Sequence, residues 1–521
     1  MKYQFVIFAF AVTAFATNTA MAMPAGAPIS VHSPVSVTSP GIVIPISSSN
    51  PNSGSTYVPL APKFPAMPTT TINVKTLGAK GDGKTDDTEA IKTAIRSNAV
   101  ILFPPGKYEF SGNLVFQSLT NARIVATGAT FENTNLTTDD FVFLNGREIS
   151  VTGGTYLRKT PVSTSENTAQ TAFNFRICTN VQIENVTIDG SPGMGITIVN
   201  STQVAALNNT VRNTMRDGIY SENSVNVLYQ GNHLENIKDD ALSMHDYGKL
   251  GTDNTYGKFR IVNLGYPQAG YSLITKNTTL NSARGIVSIG TKNLTISENS
   301  TSETAGPGVI VFNTEESYVG PSSRANHISI LNNHLFHSGG SVTVLGHVLN
   351  NGSQGGNARA ALVVGSFDSN YQIITPTRMM NGQISPGSRL SDFLVQGNSI
   401  TQSYANGVLL QNIDRIDFNE NTSLNCNLGP STYTFWPSGY TGDIVEFDYS
   451  TGVSAFQNKV IDDQTPITHS YGATVRQSTG FTGQWTIEHY LHGDYRALAG
   501  PALQQVASPA SEPKSEALSE E

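Results

Sequence analysis

The feature that most limits how this chain can fold is a short pattern that returns at a nearly constant interval. A small residue opens it, apolar and polar positions alternate, and Asn or a near substitute closes it. It reads Gly195-Ile-Thr-Ile-Val-Asn200, Gly218-Ile-Tyr-Ser-Glu-Asn223, Ala241-Leu-Ser-Met-His-Asp246, Gly285-Ile-Val-Ser-Ile-Gly290 and Gly308-Val-Ile-Val-Phe-Asn313. Apart from one insertion the interval is about 23 residues, the length of one solenoid coil. Equivalent residues of successive coils then stack on parallel strands about 4.8 Å apart. Asp217, Asp240 and Arg284 fall in one such column, with Asp239 beside it.

Composition agrees with a β-solenoid. Charged residues make up only 13% of the 521, and Gly reaches 47 copies, which suits tight corners and excludes a helical protein. The net charge of −8 and the lack of a basic run exclude nucleic acid as a partner. At the N-terminus, Lys2, the apolar run Phe5 to Ala16 and Ala20-Met21-Ala22 read as a secretory signal peptide over 1–22. The expected mature protein is secreted, extracellular or periplasmic, with no membrane insertion after signal removal. Residues 23–70 are rich in Pro, Ser and Thr and read as a linker. Residues 71–490 form the expected catalytic domain, and 491–521 a disordered acidic tail. Cys178 and Cys426 are too far apart on a solenoid to bridge and are expected as small buried residues, with no zinc site.

The solenoid needs a lid at its first coil. Ile72 to Asn73 begins a strand, Gly81-Asp82-Gly83 makes a turn, and Asp86, Asp87 and Thr88 offer caps for a helix through Ile91, Ala94 and Ile95. Val100 to Phe110 follows as strand, Pro-Gly turn and strand. These residues resemble the N-terminal cap of polygalacturonases, phage tailspikes and related proteins. The resemblance implies an all-β fold: a single-stranded right-handed parallel β-helix with an N-terminal capping helix. The Asp86–Asp87 pair is read as a helix cap and not as a catalytic dyad.

From about 111 to 465 short strands repeat, with Asn at the corners, where it tolerates the left-handed conformation. Residues 247–270 and 346–392 interrupt the rhythm and are expected to be loops, the first overhanging Asp239-Asp240. Beyond 465 only a cap over Thr479 to Leu491 is suggested.

Three carboxylates at one edge of a rigid stack repel one another unless protonated or paired, and Arg284 offers the pairing. Glycosidic bond hydrolysis uses such a group: a protonated acid for the leaving oxygen and a carboxylate to activate water. Asp217-Gly218 followed by Asp239-Asp240 resembles the paired motifs of the polygalacturonase family. That resemblance implies Asp239 as general acid, and Asp217 and Asp240 as the pair holding water. The family's Gly-His-Gly and Arg-x-Lys motifs have no match, and Asp-Asp-Ala-Leu-Ser-Met-His with Ala-Arg-Gly-Ile is closer to the β-helical exo-α-galactosidases.

An inverting hydrolase with a carbohydrate substrate and neither cofactor nor metal is therefore expected. Arg284, His245, Tyr220, Glu222 and Tyr247 are the candidate substrate contacts. His245 is read as an outward sugar ligand, or as a surface His paired with Glu222; Tyr220 and Tyr247 are read as stacking platforms. Glu315-Glu316 reads as an exposed turn, and Arg216 and Lys238 as neutralising charges. Two alternatives stand beside this one. A polysaccharide lyase would use the aspartates for Ca²⁺ and Arg284 as base. A non-catalytic glycan-binding spike would suit the linker.

Overall fold

The alternating apolar positions do stack as coils. In the computed structural model the described residues are 59, 61–135, 137–158, 170–246, 270–314, 325–350, 360–367, 389–404, 406–426, 428, 444–461, 473–476, 480, 482–488, 495–498 and 504–506. Parallel strands pair coil to coil in three ladders. One runs through Phe173–Arg176, Ile196–Val199 and Ile219–Glu222. It continues through the second halves of His233–His245 and Thr278–Ile289, then Val309–Thr314 and Ala360–Phe367. Among the described residues one pair is antiparallel, the hairpin Ser341–Val344 with His347–Asn350. The inward positions form one continuous core along the axis. Its first coils are aromatic, with Phe116, Phe143 and Phe175 stacked at 4.5 and 4.6 Å between centroids.

The helix Thr88–Ala94 buries Thr88, Ile91 and Ala94 and covers the first coil, whose core cross-section would otherwise face water. Its acidic pair is structural, as expected, but only one member works as foreseen. Asp86 accepts from the Thr88 amide at 2.9 Å. Asp87 instead accepts from the amides of Lys80 and Gly81 at 2.6 and 3.0 Å, fastening the preceding turn.

The corner asparagines divide into two kinds. Asn209, Asn232, Asn277, Asn299, Asn333, Asn398, Asn421 and Asn458 form a buried amide ladder. In each but the last, the backbone N–H and the side-chain Nδ2 both donate to the Oδ1 of the next, at 2.9–3.1 Å. The left-handed residue is the one before: Asn208, Gly231, Lys276, Glu298, Asn332, Gly397, Glu420 and Gln457. Those eight asparagines thus serve as hydrogen-bonding rungs and leave the strained conformation to their neighbours.

Other boundaries differ from the expectation. Inside the supposed interruption 346–392, Ala360–Phe367 is a ladder strand with both faces buried, so it lacks the alternation that marks a half-exposed strand. Strands Ala473–Arg476 and Thr482–Glu488 carry the ladders past 465. Tyr495–Leu498 and Gln504–Val506 carry them past 490, into the stretch read as tail. The end of the supposed linker lies against the coils, with Phe64 under the Arg123 guanidinium at 4.5 Å. Cys178 and Cys426 are buried free thiols. The leader 1–22, most of 23–70, Tyr247 with the first insertion, Glu315-Glu316 and residues 507–521 lie outside the described residues. Among the described residues no helix is long and apolar enough to cross a membrane.

Candidate active site

The strand-entry position must be small. A Cβ on Gly218 would stand 2.5 Å from Leu234 Cδ2 and 2.6 Å from the Ala241 carbonyl. The residue just before it inherits this close stacking. Gly218 N–H donates to the Asp240 carbonyl at 2.9 Å, which puts Asp217 directly against Asp240 of the next coil, and Asp240 pairs in register with Arg284.

Between Ile237 and Asp240 the register slips, so that Lys238 and Asp239 together face what is one residue, Ala283, in the next coil. Such a bulge bends the strand and re-aims a side chain. Here it separates two neighbouring carboxylates: the Asp240 side chain is 5% exposed and that of Asp239 19%.

Arg284 reaches back one coil and grips both, Nε on Asp240 Oδ1 and Nη2 on Asp239 Oδ1. Arg216 Nε lies 3.6 Å from the other Asp239 oxygen. Ser243 Oγ donates to Asp217 Oδ2 at 2.5 Å. One oxygen from each of the three aspartates lies within 4.8 Å of the others.

Burial raises the Asp217 pKa well above the carboxylate range, and the charges of Asp239 and Asp240 raise it further. Burial also lifts Asp240, to about 6, against the pull of Arg284. Burial opposes the charge on Arg284, but Asp240 and Asp239 outweigh it, so its pKa lies above the ordinary value. Burial and its two acidic neighbours therefore make Asp217 the carboxyl most disposed to hold a proton, while Arg284 and Arg216 face Asp239 and Arg284 also faces Asp240.

The expected flanking residues are present, but not as drawn. His245 is in register with Glu222. Yet His245 is 8% exposed and Tyr220 6%, so neither faces open solvent. The Tyr220 ring packs with Met194 and Val199 and meets His245 edge-on at 5.0 Å, which removes it as an open stacking platform. Its hydroxyl donates to Glu222 at 2.7 Å, so Glu222 serves Tyr220 and not His245. His245 Nε2 lies 4.0 Å from Asp240 instead, and burial drops its pKa to about 3, leaving it neutral. The outward positions of the following coils, Val287, Ile289, Ile310 and Phe312, are buried as well. From Tyr220 to Phe312 most of the outer face of this ladder is covered, which alternation alone does not reveal.

Ser243 is the site residue that sequence reasoning passed over. Its signal was the register itself, since Ser243 pairs with Tyr220, an outward position of the coil that carries Asp217. As a metal site the group fits poorly: its oxygens suit Ca²⁺, but two of the carboxylates already bind guanidinium. A separate hollow of about 380 Å³ at another corner, lined by Thr127, Gly153, Thr155 and Asn185, has no titratable side chain.

Comparison with known proteins follows this geometry. Residues 71–310, which contain the aspartates, match the family profile described as rhamnogalacturonase A/epimerase, pectate lyase-like. A pre-neck appendage protein of Bacillus phage B103 is 44% identical over 71 residues, 14% of this chain; the chain spans only 8% of that relative. Among solved structures, the Agl-KA catalytic domain aligns with a TM-score of 0.50 at 12% identity, covering 86% of this chain and 70% of that one. The A-module of the Azotobacter vinelandii mannuronan C-5 epimerase AlgE6 aligns with a TM-score of 0.47 at 14% identity, covering 84% of this chain and 100% of that one. Strand pairing, capping helix and profile agree that this chain has the pectate lyase-like right-handed parallel β-helix fold.

Proposed function

We propose that the protein is a secreted glycoside hydrolase that cleaves a polysaccharide or oligosaccharide at the Asp217–Asp239–Asp240 group. The observation that carries this reading is the convergence of three carboxyl groups from adjacent coils within 4.8 Å, with the buried Asp217 pushed towards its protonated form. Crowded carboxyls whose environments divide their protonation supply an acid and a base at one pH. Asp239 is the most exposed of the three and is the carboxyl that meets the glycosidic oxygen. In the resting protein it is bound by Arg284 and Arg216, and the proton sits on Asp217. For Asp239 to act as acid, substrate entry must draw Arg284 away. Asp239 then takes the proton of Asp217 and passes it to the leaving oxygen as the glycosidic bond breaks, leaving Asp217 ionised. Water adds to the anomeric carbon and gives its proton to Asp240.

The closest carboxyl oxygens lie nearer together than the about 6.5–9.5 Å between carboxyls of the usual inverting pair. Inversion therefore requires the carboxyls to part around a bound sugar. Proton NMR of the first product anomer tests this, and retained configuration refutes single displacement. Activity itself is tested on a panel of rhamnogalacturonan, polygalacturonate, alginate and α-1,3-glucan with reducing-end detection.

A second reading has its own support. The guanidiniums that neutralise Asp239 and Asp240 also suit a structural brace, and the phage appendage match suits a glycan-binding spike. Under that reading, glycan binding survives Asp239→Asn and no bond is cut. The lyase reading is disfavoured, because the two carboxylates that hold Arg284 keep it protonated and unfit as a base.

A further inference from the structure

We propose that the hairpin Ser341–Asn350 is a specificity element, with Leu345 at its tip forming an apolar wall beside Asp239 on which the C–H face of a sugar ring packs. This rests on the hydrolase reading.

Among the described residues the hairpin is the antiparallel exception in a parallel stack, and it is firmly seated. Val342, Val344 and Leu349 pack on Ala283 and Ala305, two small residues of successive coils. Asn281 Nδ2 donates to the Thr343 carbonyl at 2.9 Å and to Asn236 Oδ1 at 2.6 Å, tying the hairpin to a row of corner amides. Its landing place is next to the aspartates. Ala283 immediately precedes Arg284, and across the bulge it faces Lys238 and Asp239. The first arm of the hairpin also touches the strands that carry Asp239 and Arg284.

The tip carries an unfavourable residue. Val344 pairs with His347, leaving the two-residue loop Leu345-Gly346 with φ of 50° and 81°. A loop with both residues left-handed prefers Asn-Gly, and Leu is disfavoured there. Leu345 is only partly buried against the Ala283 and Ala305 cluster. The fold thus keeps a branched apolar side chain in a disfavoured conformation, partly exposed, against the cluster whose Ala283 faces Lys238 and Asp239. Backbone strain of this kind gathers at functional sites, and apolar walls with a few polar groups are what ligand sites are built from.

The test compares Leu345→Gly with wild type on the four-polysaccharide panel, with Asp239→Asn as the reading's own control. Glycine fits the left-handed loop, so the variant folds and melts no lower than wild type. The expected result is a KM raised about five-fold or more, kcat within about two-fold, and a changed distribution of product lengths. Val348→Ser, on the outer face of the same hairpin, should change none of these. If wild type cleaves and Asp239→Asn does not, but Leu345→Gly matches wild type, the wall is overturned and the hydrolase stands. If wild type cleaves nothing on the panel, the hydrolase reading falls and the wall with it.

Discussion

Replacing Arg284 by Met is the sharpest probe of the charge balance at the aspartates. The guanidinium contacts two carboxylates, and each contact at about 4 Å is worth about 4 kcal/mol at an effective dielectric of about 20. Much of that is spent on desolvating the three groups. Breaking a buried pair by removing one partner typically costs about 3–5 kcal/mol, because a charge is left behind without compensation. The loss should depend on pH in a fixed direction. Asp240 already lies at about 6 with Arg284 in place, and burial and Asp239 raise it further once the guanidinium is gone. A carboxyl whose folded pKa is raised contributes stability that is complete below its unfolded pKa near 3.8 and is lost as pH rises through the folded value. The Arg284→Met deficit should therefore approach about 3–5 kcal/mol at pH 8 and shrink by more than half at pH 5. Urea unfolding at both values measures it. Hydrogen exchange in the 217–246 segment locates it, since a long repeat can open locally. A deficit under about 1 kcal/mol at pH 8, or one equal at both pH values, would refute the ion-pair account.

Asp239→Asn should lower turnover on the cleaved polysaccharide by about a thousand-fold while the protein stays folded; retained turnover removes Asp239 as the acid. His245→Gln should flatten the acid limb of stability. The folded His245 pKa is depressed to about 3, so its contribution is present above the unfolded value near 6.5 and is lost as pH falls towards 3; unchanged melting curves between pH 7 and 4 would contradict this. Asn299→Ala should destabilise by about 2–4 kcal/mol, because both donors of Asn277 and the Ile274 carbonyl lose buried partners; a loss under about 0.5 kcal/mol in urea unfolding would show that the ladder is not cooperative.

Much of the fold could be read in advance because a coil repeats its own constraints. The small residue at 195, 218, 241, 285 and 308 marks where backbones stack most closely, and that fixes the phase of everything around it. Once phase is known, Asp217, Asp240 and Arg284 must share a column. The exposure of individual side chains was not legible. Alternation says that Tyr220 and His245 point out of the coil, but not that this face is covered. Nor did the pattern reveal that Lys238 and Asp239 stand against a coil one residue shorter, since one missing residue at the corner leaves the apolar rhythm intact on either side. The strand Ala360–Phe367 was hidden for the opposite reason. Buried on both faces, it shows a run of apolar residues and no period at all.

The two-against-one step of Lys238-Asp239 on Ala283 has a consequence for how such a protein can change. Everything that the core requires of this rung is supplied by Ile237 on one side and by Ala241 and Leu242 on the other. The count from Ile237 to Leu242 matches that from Thr214 to Ile219 in the coil before, and it is the coil of Arg284 that is one residue short. The outermost carboxyl can thus be gained or lost by a single substitution at 239 without rebuilding the scaffold. A spike and an enzyme on this frame need differ by no more than that.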